Sequence, residues 1–169
     1  MTQELTDLKN SILEGRYADA LEIVEELEAM SRKDYLRKIK SFLVRLMIHL
    51  IKNQIEGRLT NSWAASIRDS VIQIQDFNLK DNQTSYYIKA DEWDLFMEKA
   101  FESAISQASA EVAGGSYKPR QLLGMVDQDQ VFNTVKRFID LTYSVSEEDL
   151  GEAIDQELSQ LAGGEDWAF

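Results

Sequence analysis

The chain has 169 residues, 44% hydrophobic and 28% charged, enough to bury a core without help from metals or disulfides. It has no Cys, which excludes a disulfide framework, a thiol nucleophile and a zinc-thiolate site, and its single His, His49, excludes any centre that needs two imidazoles. Thirty acidic residues against 18 basic ones give a net charge of −12, which argues against broad binding to nucleic acid or to an anionic membrane.

The opening stretch MTQELTDLKN is polar and lacks the apolar run of a secretory signal. The most apolar window, Phe42 to Ile51, is interrupted by Arg45 and His49 and falls well short of the ~20 residues a spanning helix needs. No membrane segment is expected, and the cytoplasm is the default location. With one Pro and eight Gly, turns are too few for an all-β fold. The expectation is a single all-α domain over 1–169, a helical bundle with an acidic amphipathic extension at about 141–169.

Leu5, Leu8, Ile12 and Leu13 form one stripe of a first helix, which Gly15 ends. A second helix is predicted over Ala18–Met30, with Ala20, Ile23, Val24 and Leu27 inward, so that the two make a hairpin. Ser31, with Asp34 three residues on, has the form of a capping box, and a third helix is predicted over 32–56, ending at Gly57. On a helical wheel its apolar arc runs from Tyr35 through Ile39, Leu43, Leu46 and Leu50 to Ile55. Such a helix is buried on most sides and becomes the centre of the bundle.

Asn61 is the predicted cap of a fourth helix to Phe77, followed by an Asp- and Asn-rich loop. Thr84–Lys89 has strand character but no partner strand. The fifth helix starts at Trp93, carries Met97, Ala100, Phe101, Ala104 and Ala108 inward, and stops at Gly114-Gly115. Pro119 opens a short helix. Val131, Val135 and Phe138 mark the next. Ser146 caps the last, whose inner stripe is Leu150, Ile154, Leu158 and Leu161, with Gly163-Gly164 leaving a loose end.

Charge is segregated along the chain. Arg32–Arg68 holds nine Lys or Arg and two acids, whereas 1–31 holds eight acids and two bases, and 141–169 holds eight acids and no base. Acidic helices are therefore expected beside a basic one, the first half of the central helix receiving the acidic C-terminal face.

Over about residues 20–75 the chain resembles the cyanobacterial family labelled "domain of unknown function 29". The matching stretches are Glu25-Glu26-Leu27-Glu28 with Met30-Ser31-Arg32, then Arg45-Leu46-Met47-Ile48-His49-Leu50-Ile51-Lys52, then Ser62-Trp63 and Ser66-Ile67-Arg68. A thinner likeness continues to Glu111 and Leu122-Leu123, and the tail after about Gly124 has no counterpart. Asn53 stands where the family has an aromatic residue. The resemblance implies an α-helical domain and supplies no activity.

The matched residues define one candidate cluster. Arg45 and His49 are four apart on one helix face and Lys52 follows a turn later. Glu25 and Glu28, on the preceding helix, are the expected carboxylate partners of a buried Arg45, because a buried guanidinium without one is costly. Trp63 and Arg68 on the next helix would close the cluster. Three roles are open to it: an ion-pair network that fixes helix register, a ligand or partner site, or a catalytic site with His49 as acid or base.

No phosphate loop, His-Glu-x-x-His or calcium loop is present. No catalytic residue, cofactor or metal is therefore expected. The reading favoured is a non-enzymatic helical adaptor or accessory protein, bound to a protein partner or to copies of itself. The alternative is a small-molecule or nucleic-acid-processing role centred on Arg45, His49 and Arg68.

Overall fold

The computed structural model describes residues 3–82 and 84–168. Its described residues are all-α. The seven helices are α1 (Gln3–Leu13), α2 (Tyr17–Glu56), α3 (Asn61–Asn78), α4 (Trp93–Ser109), α5 (Pro119–Met125), α6 (Gln128–Ser144) and α7 (Glu147–Leu158). The strand character of Thr84–Lys89 comes to a single antiparallel bridge between Leu79 and Tyr86. None of the described helices is long and apolar enough to cross a membrane.

The predicted second and third helices are one. Between Tyr17 and Glu56 there is no Gly or Pro, and Ser31 with Asp34 sits inside a continuous helix of 40 residues. A Ser-x-x-Asp series caps a helix only where the chain before it leaves helical geometry, and nothing before Ser31 does so. The chain divides into two compact units, residues 1–37 and residues 38–169.

In the first unit, Gly15 turns the chain in the left-handed region (φ +71°), joining α1 to the start of α2. Among the described residues of this unit only Ser11 and Ala20 are buried. Leu5, Ile12, Leu13, Tyr17, Leu21 and Met30 are all exposed.

The second unit holds the core. From Ile39 onward α2 carries Leu43, Leu46, Met47 and Ile51, none with any exposed surface. Ile67, Val71 and Ile74 of α3 are equally buried, as are Met97, Ala100, Ala104 and Ala108 of α4. Thr60, and not Asn61, caps α3, its Oγ1 accepting from the Trp63 N–H at 3.1 Å. Asp127 caps α6 by accepting from the Gln130 N–H, also at 3.1 Å.

The acidic C-terminal helix is docked. α7 packs on α3 and α6, with Leu150, Ile154 and Leu158 at 1%, 0% and 1% exposure. Its acidic face meets other bases than expected. Arg68 of α3 donates to both Asp155 oxygens at 2.8 Å, and Arg137 of α6 lies 3.5 Å from Glu157. The reason is packing: once Leu150 and Ile154 face α3 and α6, the flanking acids fall beside those helices. Gly151 leaves room for the Arg68 guanidinium, which a Cβ at that position would strike. The segment that follows α7 is tied to α2, and Phe169, part of the expected loose end, lies outside the described residues. Asn53 Nδ2 donates to Ala162 O at 2.8 Å, and Glu165–Trp167 form a 3-10 turn.

Candidate functional site

The predicted cluster separates into parts. Glu25 and Glu28 lie in the first unit, on the same continuous helix as Arg45. The expected pairing is replaced by another. Arg45 donates from Nη1 to Asp69 Oδ2 at 2.8 Å and from Nη2 to Ser66 Oγ at 3.2 Å, both on α3. Asp69 also accepts from Gln73 Nε2 at 3.4 Å. The side chains of Arg45 and Asp69 are 42% and 47% exposed, so the pair is open to solvent. Exposed pairs of this kind contribute only ~0.2–1 kcal/mol. This is not the buried network that would lock helix register.

His49, Lys52 and Trp63 do come together, with Glu111 just beyond α4. Lys52 is buried, with its Nζ 4.7 Å from the Trp63 ring centroid and 3.7 Å from Glu111 Oε1. The Arg58 guanidinium carbon is 4.8 Å from the same ring. Cations near an indole are attracted by its quadrupole, more strongly where water is excluded. His49 Nδ1 is buried and has no hydrogen-bond partner among the described residues. Burial lowers the His49 pKa to about 4, with Lys52 and Arg45 acting in the same direction and Glu111 opposing them. The imidazole is neutral at physiological pH. Arg68 stands apart, committed to Asp155.

The His49 shift has a consequence for stability. The unfolded imidazole takes up a proton near its ordinary value of 6.5, whereas the folded one resists until about 4. The stabilisation is fully present above pH 6.5 and is lost as pH falls toward 4. After discounting for the ring's partial exposure, a loss of about 1–2 kcal/mol is expected. Denaturant midpoints of wild type and His49→Gln, compared at pH 7 and pH 5, measure it. Wild type should lose more stability between the two pH values than the variant does. Parallel profiles would mean that the ring titrates normally.

A second feature, one that the sequence does not announce, is an open groove of about 770 Å³ where the C-terminal end of α3, the 79–86 turn and the α6–α7 junction meet. Ile72, Leu79, Val145 and Leu150 are its apolar lining, Tyr86 and Tyr143 its aromatic lining, glutamine, serine and threonine side chains its uncharged polar lining, and Asp76 and Glu147 its charges. No Lys or Arg is among its described lining residues. The two tyrosines meet edge to face with centroids 4.7 Å apart. Tyr143 is fixed by Trp93 Nε1 and Asn78 Nδ2, which donate to its hydroxyl at 2.7 and 2.9 Å. Burial raises its pKa, so the phenol stays protonated. Asp76 occupies the last turn of α3, where the helix already concentrates partial negative charge, and has no ion-pair partner among the described residues. The groove draws on residues some 70 positions apart in the chain, Gln75 and Val145 among them, and no local motif marks it.

The fold and these two features define a class: a small all-α protein whose second unit holds a buried Lys52–Trp63 contact near a neutral His49 and a groove charged only by carboxylates among its described lining residues. The chain belongs to the family described as "Domain of unknown function DUF29", whose model matches residues 2–128. No curated protein matches the chain, and no solved structure does. The matched span ends where α6 begins. Asn53 and Arg68, inside it, hold Ala162 and Asp155 of the segment that lies outside it.

Proposed function

We propose that this protein is a non-enzymatic, cytoplasmic helical adaptor that binds another protein through the groove at the α6–α7 junction. The observation that carries the reading is the groove's charge: two carboxylates and no base, set in walls that mix apolar, aromatic and uncharged polar side chains. Carboxylates beside aromatic rings suit a lysine or arginine side chain, and the apolar walls suit the residues next to it. The ligand proposed is a short basic segment of a partner protein.

The reading centred on Arg45, His49 and Arg68 is less well supported. Arg68 is engaged with Asp155, and Arg45 and Lys52 already have acidic or aromatic partners. Titration of fluorescent peptides, basic and acidic, against the full chain tests the proposal. Basic peptides should bind, and Asp76→Asn with Glu147→Gln should weaken them about tenfold or more, which corresponds to about 1.4 kcal/mol. Equal binding of acidic peptides, or binding indifferent to the double substitution, would rule the groove out.

A further inference from the structure

We infer that the N-terminal unit is a self-association device, pairing antiparallel with the same segment of a second copy. The starting observation is that this unit is helical but, among its described residues, buries only Ser11 and Ala20. Leu13, Tyr17, Leu21 and Met30 are 72%, 70%, 59% and 56% exposed. An 11-residue helix such as α1 is marginal alone in water and needs a surface to pack on.

The occupant is chosen by the order of charges. Leu21, Glu25, Glu28, Arg32 and Leu36 follow one another at spacings of four, three, four and four. At 100° per residue they fall within an arc of about 80° on α2. Along that arc the order is apolar, acid, acid, base, apolar. Glu25, Glu28 and Arg32 are exposed and have no ion-pair partner among the described residues.

Two copies laid antiparallel about a two-fold axis between Glu28 and Ala29 bring Leu21 of each against Leu36 of the other. The same operation brings Glu25 of each against Arg32 of the other. A two-fold axis repeats every such pairing, so one favourable match counts twice. The antiparallel arrangement leaves one like-charge contact, Glu28 beside Glu28 at the axis, whereas the parallel arrangement puts Glu25 on Glu25, Glu28 on Glu28 and Arg32 on Arg32. The charges of this face therefore favour the antiparallel direction over the parallel one. Each copy also brings α1, so that two hairpins supply the four helices of a common bundle.

The inference is independent of the groove, which lies in the other unit. The test is sedimentation of the full chain across concentration, with charge-reversal variants. Wild type should be a dimer. Glu25→Arg alone and Arg32→Glu alone should each weaken association about tenfold or more, since each creates two like-charge contacts. An equimolar mixture of the two variants should restore a heterodimer, because both of the Glu25–Arg32 contacts are then again of opposite sign. That rescue also shows that both variants are folded. Because the chain has no Cys, a double variant carrying Leu21→Cys and Leu36→Cys reports direction. Under mild oxidation the thiol at position 21 of one copy should link to the thiol at position 36 of the other, within the ~7 Å between Cα atoms that a disulfide spans. A wild-type monomer at all concentrations, no rescue on mixing, or links joining position 21 to position 21 would each overturn the inference. Basic-peptide binding to the monomeric variants is the separate readout of the groove.

Discussion

Replacing Ile154 by Ala is expected to destabilise the protein by about 2–5 kcal/mol, whereas Arg68→Ala should cost under about 1 kcal/mol. Both residues hold α7 to the rest of the second unit, but by different physics. Ile154 has no exposed surface and lies between Leu150 and Leu158 on a stripe that is 1% exposed at each end. Burying side chains of this size stabilises by ~1.5–3 kcal/mol each, and truncation adds the cost of a cavity. The Arg68–Asp155 pair is short, at 2.8 Å, but the arginine is 44% exposed and remains largely hydrated. Urea midpoints at constant m-value measure both effects. Hydrogen exchange resolves their location: amides across Glu147–Leu158 should lose protection in Ile154→Ala and keep it in Arg68→Ala. Salt should separate them too, weakening the ion pair and leaving the apolar contribution in place. If the arginine variant proved the more damaging, electrostatic docking of the acidic helix would replace apolar docking as its anchor.

What is legible in the sequence is what repeats with the helical period. The stripe Leu150, Ile154, Leu158 and the inner face of the Trp93 helix need only spacing to be seen, and both are buried. The capping-box form at Ser31 misleads because a local motif cannot say whether the preceding segment is already helical. Glu25 and Glu28 belong to the same continuous helix as Arg45, which pairs instead with a residue of α3. The actual partner, Asp69, stands next to Arg68 in the chain, but its role depends on how α3 is rotated against α2. Lys52 and Trp63 touch, and Glu111 completes that contact from the far end of α4. Asn53 is visible in the sequence only as an oddity where an aromatic residue is expected. In the structure its amide bridges Arg58 O, at 3.0 Å, and Ala162 O, at 2.8 Å, 109 residues away. Contacts of that separation leave no trace in a single sequence. The groove follows the same rule: Asp76 and Glu147 share a wall only because α7 docks.

Asn78 is the position outside the apolar core where a single substitution should cost most. It is the last residue of α3, 1% exposed, and its amide organises the turn that follows. Oδ1 accepts from the Ile88 N–H at 2.7 Å, and Nδ2 donates to Ile88 O at 3.0 Å and to the Tyr143 hydroxyl at 2.9 Å. Ile88 is itself 2% exposed, so water cannot take over these bonds. Asn78→Ala leaves the Ile88 N–H without an acceptor in a buried position, at ~1–3 kcal/mol, and opens a small cavity beside it. A total of about 2–4 kcal/mol is expected. Asn78→Asp tests the same argument with the shape kept. Its carboxylate can still accept from Ile88 N–H, but it sets an acceptor against Ile88 O where a donor stood. It should therefore also destabilise, and less at acidic pH, where the carboxyl regains a proton to donate. Tyr143→Phe leaves both Asn78–Ile88 bonds intact but takes the acceptor from Trp93 Nε1, so a cost of about 1–3 kcal/mol is expected. Denaturant midpoints rank the three. The turn lines the groove through Leu79 and Tyr86, so the Asn78 variants should also weaken basic-peptide binding at temperatures where the rest of the protein is still folded. Undiminished stability of Asn78→Ala would mean that the 79–92 segment finds its bonds elsewhere, and that the wall of the groove is not set by α3.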